Sequence, residues 1–321
     1  MRIAIMGSGG VGGYAGAWLQ RAGHAVTFIA RGAHLEAMRR RGLHIEHPDL
    51  PLHLPSVAAT DDPSGVGPVD LVIFAVKLFD TDGAARDMAP LVRPGTRVLT
   101  LQNGIDSADL VRRHLDPTAR VLAGVIYVSA VIARPGVIRS PGGLHTIVAD
   151  RAGGDDVMAR LESSTAGLDG LSVKLSDAVT QTVWEKFIAL ASLSGATALL
   201  RARMGAILGH PETLAFQRQL IDEAIAVARA KGVDVRAGLA DQVMGKLAAM
   251  PASFRSSMAE DLERGNRLEL RWLNGRLHGL GLELGIPTPA HTAVYRGLVL
   301  HEGGQRVSAG HEIDASRPAA E

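Results

Sequence analysis

Six residues near the start of the chain, Gly7-Ser8-Gly9-Gly10-Val11-Gly12, fit the spacing G-x-G-x-x-G, in which each glycine meets a separate mechanical need. The first permits a tight turn, the second lets backbone approach a ligand, and the third allows a helix to pack closely on a strand. A helix opening here would aim unsatisfied N–H groups and the positive end of its dipole at the turn, and a pyrophosphate is the natural partner. About 20 residues on, sites that prefer NAD carry a carboxylate for the ribose 2′-hydroxyl. This chain has Arg31 there. A guanidinium pairs bidentately with a 2′-phosphate, so the pattern predicts NADP(H). The bland alternatives are a glycine-rich turn without a ligand and a solvated surface arginine.

Such a site needs a strand before it and a helix after it. Residues 2–6 are a short apolar run bounded by glycine, and their length favours a buried parallel strand. Ala15, Trp18, Leu19 and Ala22 recur at helical spacing, Gly23 supplies a stop, and residues 25–30 are again strand-like. Apolar runs at 70–76 and 96–101, separated by a helical stretch at 82–91, continue the alternation and predict an α/β fold with a Rossmann-type doubly wound sheet. After Val121 short β-rich runs with turns at Arg134-Pro135-Gly136 and Pro141-Gly142-Gly143 suggest antiparallel strands at the sheet's edge. Helical patterns at 179–200, 211–231, 239–250 and 264–284 predict an all-helical C-terminal domain. The expected organisation is a cofactor domain at 1–175, a helical substrate and dimerisation domain at 176–305, and a flexible tail at 306–321.

The 321 residues suffice for two cores. Hydrophobic residues at 46% and charged residues at 21% describe a folded soluble protein. A net charge of +1 supplies no broad cationic field, so neither nucleic acid nor a membrane surface is expected as a partner. The absence of cysteine excludes disulfides, thiolate zinc sites and a cysteine nucleophile. No stretch of about 18 uncharged apolar residues occurs, and the first apolar run is too short for a signal peptide, so a cytoplasmic protein is expected. His44 and His47, three apart in a strand-like segment, would face opposite ways, and no metal site is expected. His291, after Pro287-Thr288-Pro289, reads as structural, and no Ser-His-Asp order with a nucleophile elbow supports a hydrolase.

Over about residues 1–300 the chain resembles the ketopantoate reductase (2-dehydropantoate 2-reductase) family. The resemblance is carried by the glycine motif, Val76-Lys77, Gln102-Asn103-Gly104, Trp184-Glu185-Lys186-Phe187 with Thr197-Ala198-Leu199, and Ser256-Ser257-Met258 followed by Glu269 and Asn274-Gly275. The segment from Pro135 to Asp150 looks like the family's β-hairpin. The resemblance implies hydride transfer from NADPH to the keto carbon of a 2-oxo acid, foremost ketopantoate to D-pantoate as in pantothenate biosynthesis. It also implies Lys186 as general acid, since an ammonium supplies both a proton and charge stabilisation to the developing alkoxide. Glu269 would hold Lys186 and the reacting hydroxyl, Asn103 would orient the lysine near the nicotinamide, Ser257 would bond the substrate carboxylate, and Lys77 would lie on the cofactor side. Taken without the family, Lys186 and Glu269 are ordinary solvated charges on helices.

The chain departs from the family where asparagines usually read the substrate. Four and eight residues after Lys186 stand Leu190 and Ser194, and three before Ser257 stands Phe254. Ser194 keeps a hydroxyl for the substrate, but a pocket with fewer amides reads a distal hydroxyl poorly. The preferred acid is therefore expected to be ketopantoate or a less polar branched-chain or aromatic 2-oxo acid. A regulator that binds NADPH without turnover is the competing reading, and an oxidative dehydrogenase is disfavoured by Arg31 and the lysine helix. A homodimer through the helical domain is plausible.

Overall fold

The computed structural model describes residues 1–143 and 145–304, and the tail expected at 306–321 lies outside them. The described residues form two compact units, one comprising residues 1–187 with 233–235, the other residues 188–232 and 236–304.

In the first unit, β1 (Arg2–Met6), α1 (Gly10–Arg21), β2 (Ala25–Ile29) and α2 (Gly32–Arg41) follow in order. After them come β3 (Leu43–Glu46), β4 (Leu52–Leu54), β5 (Ala58–Thr60), β6 (Leu71–Phe74), α3 (Thr81–Asp87), β7 (Arg97–Thr100), α4 (Ser107–Arg112) and β8 (Arg120–Tyr127). The unit continues with β9 (Val131–Arg134), β10 (Val137–Arg139), β11 (Thr146–Asp150), α5 (Asp156–Thr165) and β12 (Ser172–Ser176). The eight-stranded sheet has the order β12-β11-β8-β7-β6-β1-β2-β5. Six neighbours, from β5 to β8, are all parallel. Their order is the 3-2-1-4-5-6 of a doubly wound dinucleotide fold, with the reversal between β1 and β6.

The central strands are apolar throughout because both faces are covered. Ile3, Ile5, Phe28 and Leu99 pack with Tyr14, Leu19, Met38 and Leu161 of α1, α2 and α5. On the other face Ala4, Met6, Val72 and Phe74 meet Ala85, Met88 and Val111 of the α3 and α4 region. The edge is antiparallel only between β8 and β11, while β12 returns to parallel.

Helix α1 is tied to the far end of this unit. The buried Tyr14 donates its hydroxyl to the carbonyl of Gly170 at 3.0 Å, and burial pushes that hydroxyl up to about 12. A Cβ on Gly170 would lie 2.0 Å from the Trp18 ring, so the backbone there passes directly against α1.

Two expectations for the first unit are corrected. Pro135 to Asp150 is not one hairpin: β9 and β10 form a hairpin around Gly136, but β10 pairs in parallel with β3, whereas β11 pairs with β8. The reason is non-local pairing, since β4, β3, β10 and β9 make a separate four-stranded sheet. This sheet packs on α1, where a Cβ on Gly13 would lie 2.4 Å from Ile138. The strand-like segment containing both histidines ends at Glu46, and His47 instead accepts the amides of Asp49 and Leu50 at 3.1 and 2.9 Å, fastening a turn. No group of three or more potential metal ligands occurs among the described residues.

The remaining elements are helical. They are α6 (Val179–Leu199), within which the division between units falls, α7 (Met204–Gly209), α8 (Pro211–Ala230), α9 (Leu239–Ala248), α10 (Ser257–Arg264), α11 (Asn274–Leu284) and α12 (Pro289–Leu298). The helix expected at 264–284 is broken. Gly265 closes α10 at φ +70°, in the left-handed region that glycine enters without penalty, and α11 begins only at Asn274. A buried polar cluster joins α6, α8, α11 and α12 of the second unit. Asn274 donates from Nδ2 to the carbonyl of Ala191 and to Nδ1 of His291, each at 3.0 Å, and His291 donates from Nε2 to the carbonyl of Leu220 at 2.9 Å. Glu223 accepts the first amides of α12, from Ala290 and His291, at 2.9 and 3.0 Å. Among the described residues no helix is long and apolar enough to cross a membrane.

Candidate active site

The glycine loop stands between β1 and α1, at the sheet's reversal point. Gly7 has φ +94°, and a Cβ there would lie 2.7 Å from Val76 on the loop after β6. A Cβ on Gly12 would lie 2.2 Å from the carbonyl oxygen of Gly7, and one on Gly10 would lie 2.2 Å from that of Ala130. Gly9 differs: nothing lies within 4 Å of the place its Cβ would occupy, so its backbone faces open space at the N-cap of α1. The first turn of α1 carries no acidic side chain to oppose an anion. A closely packed turn with one open face fits a pyrophosphate at the helix N-terminus. Ser8 is buried and committed to the fold, its hydroxyl donating to the carbonyl of Ile5 at 3.2 Å and its amide to that of Ile29 at 2.9 Å. Val11 is half-buried and packs against the core.

Every other predicted cofactor residue follows the C-terminal end of a parallel strand. Arg31 lies just beyond β2 as the N-cap of α2, with its side chain exposed and Nη2 3.4 Å from Oδ2 of Asp87. Lys77 lies beyond β6, exposed, with extended backbone before a short 3-10 turn at Leu78–Asp80. Asn103 lies beyond β7, followed by Gly104 at φ +103°. The motif's glutamine has a role that the sequence reading assigned to no residue: buried Gln102 donates from Nε2 to the carbonyl of Val76 at 3.0 Å and to the hydroxyl of Thr81 at 2.8 Å. It thereby joins the loops that carry Lys77 and Asn103, and its place beside Asn103 was the only signal for it.

Lys186 and Asn103 are brought together. Nζ of Lys186 donates to Oδ1 of Asn103 at 3.2 Å and to the carbonyl of Ile126 at 2.8 Å, and sits 5.8 Å from the centre of the Tyr127 ring. A partly buried lysine nitrogen held by two oxygens at the ends of β7 and β8 is fixed in position and could serve as a proton donor, unlike the solvated lysine that its helical position alone suggests. Ile126 acts through its backbone, so no side-chain pattern could have identified it.

Ser194, Ser257 and Glu269 belong to the helical unit. Glu269 is 8% exposed, against the solvated charged face that its sequence neighbours imply. Ser257 is the exposed first residue of α10, positioned by its neighbour Ser256, whose buried hydroxyl accepts the amide of Ala259 at 3.1 Å and bonds the hydroxyl of Thr197 at 2.8 Å. The Ser194 hydroxyl is buried with no hydrogen-bond partner among the described residues, while Leu190 and Phe254 are half-buried.

Sequence and fold are also similar to those of known proteins. The family description "Ketopantoate reductase PanE/ApbA" matches residues 3–153, and its C-terminal counterpart matches residues 178–302. A 2-dehydropantoate 2-reductase of Halobacterium salinarum is 32% identical over 86% of this chain and 90% of its own. The crystal structure of a PanE/ApbA family ketopantoate reductase from Ralstonia eutropha JMP134 superposes with a TM-score of 0.87 at 36% identity, covering 94% of this chain and 98% of that one. D-mandelate dehydrogenase in complex with NADH and anilino(oxo)acetate shares the fold, with a TM-score of 0.82 at 20% identity over 94% of this chain and 98% of its own. A nicotinamide-binding fold, a lysine fixed at its strand ends and matches along both halves of the sequence lead to one assignment: the chain belongs to the ketopantoate reductase family of oxidoreductases.

Proposed function

We propose that the protein reduces a 2-oxo acid with NADPH, Lys186 giving the proton to the carbonyl oxygen as hydride reaches the carbonyl carbon. The observation that carries this reading is the ammonium of Lys186, held by Asn103 and the Ile126 carbonyl at the C-terminal ends of adjacent strands. The cofactor, when bound, supplies the hydride. The protein's residues do the rest: the Gly9 face and the N-terminus of α1 receive the pyrophosphate, Arg31 the 2′-phosphate, and Lys77 the cofactor's side of the site. Asn103 orients the ammonium, buried Glu269 supports it and the nascent hydroxyl, and Ser257 and Ser194 bind the acid. The domains at 1–175 and 176–305 then serve cofactor and substrate respectively, with a homodimer formed through the helical part.

Ketopantoate, for which the relatives are named, is the first acid to test. Leu190 and Phe254 favour a second reading, a less polar acid such as 2-oxoisovalerate or phenylpyruvate, because they offer no partner to a distal hydroxyl. The experiment is steady-state NADPH consumption with the three acids, beside Lys186→Ala. General acid catalysis is worth about 10²–10⁴-fold, so the variant should lose turnover by that factor while keeping cofactor affinity. Tight NADPH binding with no turnover of any acid by the native protein would overturn the enzyme reading in favour of a regulator.

A further inference from the structure

Arg31 is held by a carboxylate that the cofactor motif does not require. Asp87, the last residue of α3, comes within 3.4 Å of the guanidinium from 56 positions away, and the two side chains are 71% and 52% exposed. An exposed pair of this kind contributes little stability. Asp87 also stands at the C-terminal end of its helix, where the dipole disfavours a negative charge. Stability therefore gives no reason for a carboxylate there.

We propose that Asp87 is a specificity-determining residue that narrows the preference for NADPH over NADH, an inference that rests on the NADP(H) reading above. A guanidinium gives its bidentate face to one oxyanion at a time. An arriving 2′-phosphate either displaces Asp87 from Nη2 of Arg31 or takes the remaining donors with the carboxylate still alongside, and in both cases the dianion shares its surroundings with that carboxylate. NADH brings no such charge, and its 2′-hydroxyl can donate to a carboxylate as it does in NAD-preferring sites. Asp87 thus opposes one cofactor and tolerates or assists the other.

The test is direct binding of NADPH and of NADH to the native protein, Asp87→Asn and Arg31→Gln, by quenching of intrinsic fluorescence at low and high ionic strength. Asp87→Asn should tighten NADPH about two- to five-fold, within the range of an exposed charge interaction. It should leave NADH unchanged or weaker, and the NADPH effect should shrink at high salt. An unchanged ratio, or weaker NADPH binding, overturns the assignment, the latter by showing that Asp87 holds Arg31 ready for phosphate. If Arg31→Gln weakens NADPH alone while Asp87→Asn leaves the ratio fixed, only the Asp87 assignment falls. If Arg31→Gln leaves NADPH affinity untouched, the NADP(H) reading falls and takes the Asp87 assignment with it.

Discussion

Lowering the pH should destabilise the helical unit at His291. The ring is fully buried, and burial lowers its value from the usual 6.5 to about 4, although the hydrogen bond to the Leu220 carbonyl favours the protonated form. The neutral ring is fixed as one tautomer: Nε2 gives its proton to Leu220, and Nδ1 must stay bare to accept from Asn274. Protonating Nδ1 sets donor against donor, and turning the Asn274 amide to relieve this would abandon the carbonyl of Ala191. The folded value lies below the unfolded one, so the contribution is complete above about pH 6.5 and is lost as pH falls toward 4. Linkage gives a loss of about 2 kcal/mol at pH 5 and about 3 kcal/mol at pH 4. The assay is denaturant unfolding of native protein and His291→Gln at pH 7.5 and 5.0. At pH 7.5 the variant should be less stable by about 2–4 kcal/mol for lost packing and hydrogen bonds, and by pH 5 the gap should narrow by about 2 kcal/mol. Taking the difference cancels His24, His34 and His145, which burial also lowers. A gap that stays constant between the two pH values would refute the reasoning.

Gly12→Ala places a methyl 2.2 Å from the Gly7 carbonyl oxygen, so it should cost about 1–3 kcal/mol in thermal unfolding and weaken cofactor binding measured by fluorescence. Gln102→Leu leaves the Val76 carbonyl and Thr81 hydroxyl without their donor, and should cost about 1–3 kcal/mol while raising KM for the cofactor more than it lowers kcat. Asp155→Asn removes the anion between Arg97 and Arg120 but keeps an acceptor for the amides that open α5. Burial pushes the Asp155 carboxyl up, yet the Arg97 bond and those amides outweigh it and leave it below the ordinary value. Its stabilisation is therefore present above about pH 4 and lost as pH falls through the folded value, so the variant should lose about 1–3 kcal/mol at neutral pH and show a flatter acid limb in thermal melts.

The sequence made most legible what local sterics dictate. Gly7 and Gly12 are required by backbone atoms that a Cβ would strike, and the central strands are continuously apolar because both faces are covered. Non-local pairing was opaque. Nothing near β10 says that its partner is β3, about 90 residues earlier, so the hairpin inferred to reach Asp150 was misplaced. The break at Gly265 was lost inside a run of charged and apolar residues that reads as a single helix. The oxygens around Lys186 divide along the same line: Asn103 is a side chain within a motif, whereas the Ile126 carbonyl belongs to a backbone that every residue shares.

The bond from Tyr14 to Gly170 spans 156 residues, and its consequence lies in the order of folding. The helix that would receive the cofactor's phosphates cannot complete its packing until the chain has been synthesised through Gly170, because the Tyr14 hydroxyl would otherwise be buried without an acceptor. Loop closure over such a separation makes this a slow, late step, and the emerging N-terminal half stays open to misassembly meanwhile. A fragment ending near residue 153, where the first family match stops, would keep the glycine motif but lack the contact that seats its helix.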